Sequence, residues 1–248
     1  MSDTVWTYWE GTASPIIELC IETLQRHNKN LVVLTPETVR LPSAHAELVQ
    51  DIPIPQRSDL IRLYYIYKFG GMWVDTDCIA IRPLDLLTQV PNADLVGVWN
   101  KYMSKGFGMR GMLAVPFGAR RNSPIILEAL EQCQDLISVI KSGEKVPYGA
   151  TSVDLLSKLY HKYHHQTEPV CRRLEHWRYN RVPWYHAERV FANERPDHVH
   201  AQCQYWGPKV RLYHLCNTTI SHFHSTPRKD LLRGKSFVSF LFRKALST

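Results

Sequence analysis

The chain has 248 residues, of which 44% are hydrophobic and 21% charged, and it carries a formal net charge of +7. This length favours one domain, or one domain with a lobe. No signal peptide and no apolar run near the roughly 20 residues of a membrane span is visible, so we expect a cytoplasmic protein. The positive charge suits nucleic acid, an anionic membrane or an acidic small molecule, and the lack of a nucleic-acid motif disfavours the first. Six scattered cysteines without a C-x-x-C pair argue against a zinc site.

The first 34 residues predict a β-α-β unit. An aromatic and β-branched run, Val5 to Trp9, favours a strand. Ser14-Pro15 then indicates a helix start, because serine caps helices and proline suits their first turn. This helix is expected to end near Asn28, and Leu31 to Leu34 predicts a second strand. Such an opening is typical of nucleotide-binding α/β domains, although no glycine-rich phosphate loop follows the first strand.

The stretch from Arg57 to Phe69 predicts a helix whose apolar residues recur every three or four positions. Asp59 and Arg62 are three residues apart and should share a face of this helix. Gly70-Gly71 is expected to end the helix and turn the chain sharply.

The residues from Met72 to Cys78 predict a strand that carries two carboxylates near its end. In a regular strand alternate side chains lie on one side, which would group Trp73, Asp75 and Asp77. Two carboxylates that are close together repel each other unless a cation or a proton lies between them. The sequence therefore predicts a site for a hard divalent cation with oxygen ligands.

Further elements are expected along the rest of the chain. The patterns predict strands at 95–99 and 210–216, and helices at 44–49, from Ser123-Pro124 onward, and at 153–160. The histidine-rich region 161–200 matches no zinc spacing, so we expect no metal site there.

The stretch from Arg57 to Leu84 resembles the core of retaining glycosyltransferases with a DXD motif, in particular the family 32 group and related capsular polysaccharide synthesis proteins. The matching segments are Arg57-Ser58-Asp59-Leu60-Ile61-Arg62, Gly70-Gly71, Trp73, Asp75-Thr76-Asp77 and Pro83-Leu84. The start of the chain is similar to the same families through Tyr8-Trp9-Glu10-Gly11, Cys20-Ile21-Glu22 and His27-Asn28.

The resemblance implies a GT-A type, Rossmann-like α/β domain with a mixed central sheet flanked by helices. It implies that Trp9 stacks on the nucleotide base and that Trp73 lies beside the donor. Asp59 would hold a ribose or sugar hydroxyl, and Arg62 would pair with a sugar hydroxyl, a phosphate or Asp59 itself. Asp77 and Asp75 would bind Mn2+ or Mg2+.

Near the end of the chain, Tyr213 to Asn217 resembles the family's His-x-Trp-Asn segment, which completes the donor site. By that resemblance, His214 would be a metal ligand and Asn217 a donor contact. Cys216 departs from the family pattern, because tryptophan is usual at this position.

The resemblance, together with the carboxylate pair, implies a metal-dependent transferase acting on a nucleoside-diphosphate sugar, UDP-linked in preference to GDP-linked. The acceptor would be a hydroxyl of a glycan or lipid-linked saccharide, with retention of configuration, in cell-surface polysaccharide or glycan synthesis. We expect a single domain, with a donor half over 1–100, an acceptor half over 101–226 and a basic tail over 227–248.

Two other classes of protein remain open on the sequence alone. In a haloacid-dehalogenase-type phosphatase, Asp75 would be a covalent nucleophile. A sugar-nucleotide-binding protein without turnover is the second alternative, suggested by Cys216.

The C-terminal tail alternates apolar residues with six basic ones, Arg228, Lys229, Arg233, Lys235, Arg243 and Lys244. This pattern is typical of a segment that lies on an anionic membrane surface, here the inner face. A terminal helix packed on the domain, with its basic side chains in solvent, is an equal alternative.

Overall fold

The computed structural model describes residues 4–99, 115–147, 149–175, 210–215 and 220–247. The chain forms two compact units. The first is built from residues 1–10, 32–74 and 85–174, and the second from residues 11–31, 75–84 and 175–248. Each unit is therefore assembled from three separate stretches of the chain.

The larger sheet has six strands in the order β2-β1-β3-β6-β5-β7. Their bounds are β1 Val5–Tyr8, β2 Leu31–Leu34, β3 Gly71–Trp73, β5 Leu95–Trp99, β6 Phe117–Ala119 and β7 Cys171–Glu175. β1 pairs parallel with β3, and β6 pairs antiparallel with both β3 and β5. The predicted mixed sheet is confirmed.

The described part of the first unit has five helices: α2 Ser43–Leu48, α3 Ile54–Phe69, α4 Leu86–Gln89, α5 Pro124–Lys141 and α6 Val153–Tyr163. α3 packs on α5, and α5 on α6. The Ser123 hydroxyl caps α5 by accepting a 3.2 Å hydrogen bond from the amide of Ile126. The expected α/β class, with helices flanking a central sheet, is confirmed.

In its described residues, the second unit contains a two-stranded antiparallel sheet and three α-helices. The strands are β4 Cys78–Ala80 and β8 Leu212–His214, and the helices are α1 Pro15–His27, α7 Arg228–Arg233 and α8 Phe237–Ser247. α1 packs against β4 and α8. The Thr23 hydroxyl also accepts a 3.0 Å hydrogen bond from the amide of Ala80, which ties the helix to the strand.

Gly70 and Gly71 end α3 as the sequence predicts, in backbone conformations that favour glycine. Their φ angles are +70° and +105°. A Cβ on Gly71 would lie 2.4 Å from the carbonyl oxygen of Thr4. Glycine is therefore required here both by the backbone angle and by the close approach of the neighbouring chain.

The prediction of one strand from Met72 to Cys78 is wrong. β3 ends at Trp73 and β4 begins at Cys78, and the residues between them are in a loop and turn. The cause is a change of partner, because β3 pairs with β1 in the larger sheet whereas β4 pairs with β8 in the smaller one. The alternation argument that grouped Trp73 with Asp75 and Asp77 does not apply to a broken strand.

The C-terminal tail packs inside the second unit. α8 buries Phe237, Val238, Leu241, Phe242 and Ala245, and it contacts α1 and β4. The Arg243 guanidinium donates to the carbonyl of Leu232 at 2.7 Å, and Lys244 is exposed. This arrangement is the packed-helix alternative for the tail. No helix within the described ranges has the length and hydropathy needed to cross a bilayer.

Candidate functional site

The DXD turn lies in the second unit, beside strand β8. Asp77 is buried, and its Oδ1 is 3.2 Å from Nε2 of His214. The backbone next to this pair is fixed, because the amide of Leu215 donates a 2.9 Å hydrogen bond to the carbonyl of Asp77. The structure therefore brings together two of the three predicted metal ligands.

The third member of this cluster is Cys78, to which sequence analysis assigned no role. One ligand atom each from Asp77, Cys78 and His214 lies within 4.8 Å of the others. Cys78 and His214 face each other directly in the β4–β8 register. A carboxylate oxygen, an imidazole nitrogen and a sulfur at this spacing fit one divalent cation.

The other predicted residues of this region lie apart from the cluster or outside the described chain. Asp75 is half-buried at the start of the turn and is not part of the three-residue cluster. Asn217 and Cys216 lie outside the described residues. Cys20, on α1, is fully buried, and burial, followed by the charge of Asp77, raises the pKa of its thiol.

A second polar cluster lies in the first unit, around Asp59 on α3. Nη2 of Arg62 is 3.0 Å from Oδ1 of Asp59, as the i,i+3 spacing predicts. The Thr151 hydroxyl donates a 2.5 Å hydrogen bond to Oδ2 of the same carboxylate. The guanidinium of Arg62 lies over the Trp73 ring, 5.5 Å from its centroid. Trp73 is only 1% exposed, so its ring supports Arg62 from below.

Trp9 directly follows β1 and is half-buried. Its amide donates a 3.0 Å hydrogen bond to the carbonyl of Leu34, and its indole Nε1 is buried with no hydrogen-bond partner in the described part of the chain. The next residue, Glu10, accepts hydrogen bonds from the Tyr8 hydroxyl at 2.7 Å and from Arg57 at 2.6 Å. This network holds the chain on either side of Trp9.

Three residues of these clusters, Cys78, Glu10 and Thr151, were not predicted from the sequence. Cys78 and Glu10 lie inside the motifs, next to residues that were singled out. Thr151 had no comparable signal, because it contacts Asp59 across 92 positions of the chain.

Comparison with known proteins finds a family model that matches part of the chain. A family model described as a glycosyltransferase sugar-binding region containing a DXD motif matches residues 18–96. That range contains Asp59, Arg62, Trp73 and both DXD carboxylates. A sequence search among curated proteins found no match.

Solved glycosyltransferases with TM-scores above 0.5 share the fold. The galactosyltransferase LgtC, in complex with donor and acceptor sugar analogues, superposes with a TM-score of 0.52 at 12% identity, over 98% of this chain and 95% of that one. The bifunctional glycosyltransferase WbbM gives 0.52 at 14% identity, over 100% of this chain and 50% of WbbM. GlyE from Streptococcus pneumoniae TIGR4 gives 0.48 at 14% identity, over 100% of this chain and 64% of GlyE. The chain thus spans half the length of WbbM and less than two thirds of GlyE.

The protein therefore has the GT-A fold and carries a DXD sugar-binding region. The match of residues 18–96 to the sugar-binding model supports glycosyl transfer as the class of activity.

Proposed function

We propose that this protein is a metal-dependent, retaining glycosyltransferase. It moves a sugar from a nucleoside-diphosphate sugar, UDP-linked in preference to GDP-linked, to a hydroxyl of a glycan or lipid-linked saccharide during cell-surface glycan synthesis. The observation that carries this proposal is the 3.2 Å pair of Asp77 and His214, which joins the DXD turn to a strand near the C-terminus in a GT-A fold.

The residues of the second unit take the metal role in this proposal. Asp77 and His214 offer an oxygen and a nitrogen to one Mn2+ or Mg2+ ion, and Asp75 acts directly or through water. A cation there would supply positive charge against the negative charge that develops on the departing diphosphate. Asn217 is assigned a donor contact on the resemblance alone.

Residues of the first unit take the donor-binding roles. Asp59 is held by Arg62 and Thr151 and accepts a hydrogen bond from a ribose or sugar hydroxyl. Arg62 donates to a hydroxyl or a phosphate oxygen, and the face of the Trp73 ring positions the Arg62 guanidinium. The half-buried indole of Trp9 is a stacking platform for the base. No side chain is assigned as a nucleophile. Because the proposed reaction retains configuration, the acceptor hydroxyl would attack from the leaving-group face.

The two rival functions predict different behaviour at Asp75. A haloacid-dehalogenase-type phosphatase would form a phosphorylated enzyme at this residue, whereas a transferase would lose metal-dependent donor affinity when Asp75 is replaced. The GT-A fold favours the transferase. A sugar-nucleotide-binding protein without turnover would bind the donor but neither hydrolyse nor transfer it.

The test is donor binding and slow donor hydrolysis over a panel of UDP- and GDP-sugars, with Mn2+, Mg2+ or a chelator. We expect one donor to bind in a metal-dependent way, and Asp77→Asn to abolish this binding. Asp135→Asn, which changes an exposed carboxylate on α5, is the matched control. Absence of metal-dependent binding to every nucleotide sugar would overturn the proposal.

Contact with the inner face of an anionic membrane remains a separate prediction for the tail. The apolar side of α8 is buried in the second unit, so such contact would depend on exposed basic side chains such as Lys235 and Lys244. Cosedimentation with anionic vesicles at low salt, lost at high salt, would support it. Equal cosedimentation with neutral vesicles would contradict it.

A further inference from the structure

We propose that Cys78 is a thiolate ligand of the metal centre, so that this centre favours a metal of borderline softness, such as Zn2+ or Co2+, over Mg2+. The role of this metal centre in donor binding rests on the function proposed above. The ligand set itself is argued from the cluster alone.

The strand pairing places the three ligands together. Cys78 and His214 are directly opposite each other in antiparallel strands, where paired side chains project from the same face. Asp77 immediately precedes Cys78, and its Oδ1 is 3.2 Å from Nε2 of His214. Because the ligand atoms of all three lie within 4.8 Å of one another, small side-chain adjustments would let them share one ion.

Burial alone does not distinguish the Cys78 thiol from a structural cysteine, but burial together with its neighbours does. Cys20, Cys133 and Cys171 are also buried, as cysteines that serve as small apolar groups usually are. Within the described ranges, Cys78 is the cysteine that shares a cluster with a carboxylate and an imidazole. Three protein ligands that leave further positions open are the pattern of catalytic rather than structural metal sites. Diphosphate oxygens of a donor could fill those positions.

The sulfur determines which metal the site prefers. Carboxylate and water ligands suit Mg2+ and Mn2+, whereas thiolate is a soft ligand that favours Zn2+ and related metals. When the metal binds, the thiol gives up its proton to solvent and the sulfur donates an electron pair to the ion, without any redox change. Removal of the sulfur should therefore weaken binding of Zn2+ and Co2+ far more than binding of Mg2+ or Mn2+.

The test is titration of the whole, chelator-treated chain with Co2+ and Cd2+, monitored by thiolate-to-metal charge-transfer absorption in the ultraviolet. We expect one such band at saturation, and its loss in Cys78→Ser. Zn2+ affinity, measured by competition with a chelating dye, should fall roughly tenfold or more, since even partners outside the ligand set change affinity by about 10–100-fold. Mg2+ affinity should change little.

Two control variants make the assignment specific. Cys20→Ser removes a buried thiol whose pKa is raised in part by the charge of Asp77. Cys133→Ser removes a buried thiol of the first unit. Both should retain the band, whereas His214→Ala and Asp77→Asn should weaken it. If Cys78→Ser does not fold, Cys78→Ala is the replacement.

Some outcomes overturn the ligand assignment without touching the proposed function. Absence of any thiolate band in the unmodified protein at saturating Co2+, or a band that persists in Cys78→Ser, would overturn it even if Asp77-dependent donor binding is observed. Conversely, a band that requires Cys78, Asp77 and His214 supports the metal site even if no nucleotide sugar binds.

Discussion

Thr151 and Asp59 are joined by a 2.5 Å hydrogen bond, although 92 positions separate them in the chain. The second oxygen of the same carboxylate is 3.0 Å from Arg62. Both oxygens of a buried carboxylate are therefore engaged, and two charge-assisted bonds hold it in one orientation. Thr151 is thus a positioning residue for Asp59.

Replacement of Thr151 by valine removes the hydroxyl and keeps the side-chain volume. We expect the free energy of unfolding to fall by about 1.5–3 kcal/mol, because the hydrogen bond is to a charged, buried group. Donor affinity should fall with it if Asp59 binds the donor. Thr151→Ser, which retains a hydroxyl, should restore both quantities in urea unfolding and donor titration. Wild-type stability in Thr151→Val would contradict the positioning role.

Arg62 should be coupled energetically to Asp59. Arg62→Met leaves a buried carboxylate without its cation and should destabilise the fold by about 3–5 kcal/mol. Adding Asp59→Asn to that variant removes the charge and should recover a large part of the loss. A double-mutant cycle by chemical denaturation measures this coupling. Strictly additive effects of the two single changes would show that the pair is not coupled.

Elements with strong local signals were predicted well. The structure places α1 at Pro15–His27, and β2 and β5 have the predicted bounds. The start of α1 follows from Pro15, which occupies its first position, whereas the Ser14 side chain forms no capping hydrogen bond within the described chain. The short strands follow from apolar runs between turn residues. Where sequence analysis started α3 at Arg57, the helix begins three residues earlier at Ile54, after Pro53.

The predictions that failed depend on partners far away in the chain. The break between β3 and β4 exists because the two strands belong to different sheets, and no residue within 72–78 indicates that change. The contacts of Asp59 with Thr151, and of Cys78 with His214, likewise join residues that are distant in sequence. Local periodicity contains no information about such partners.

Gly71 and Gly143 provide a matched pair for the role of the turn before β3. Both have positive φ, +105° and +91°. A Cβ on Gly71 would lie 2.4 Å from the Thr4 carbonyl oxygen, whereas a Cβ on Gly143 would have no atom of the described residues within 4 Å. Gly143→Ala should therefore cost about 1–2 kcal/mol of stability, from the backbone angle alone.

Gly71→Ala should cost about 3 kcal/mol or more, because the backbone of Thr4 must also move. Thermal or urea unfolding of the two variants measures the difference. Equal losses would mean that the close approach of Thr4 has no energetic consequence.

His27 should make stability depend on pH near neutrality. Burial lowers its pKa below the model-peptide value of 6.5, and this effect outweighs the contact of its Nε2 with the Ala245 carbonyl at 3.0 Å. As the pH falls through about 6.5, the unfolded chain takes up a proton before the folded protein does. Stability should therefore decrease from about pH 7 toward the lower pKa of the folded state, and level off below it.

His27→Gln should flatten this part of the pH profile in urea unfolding measured between about pH 7 and 5.5. A smaller slope should remain, because burial also lowers the pKa of His45. Because His27 is only half-buried, water screens the effect and the change in slope should stay below that of one full proton. An unchanged profile in His27→Gln would mean that this histidine titrates alike in the folded and unfolded chains.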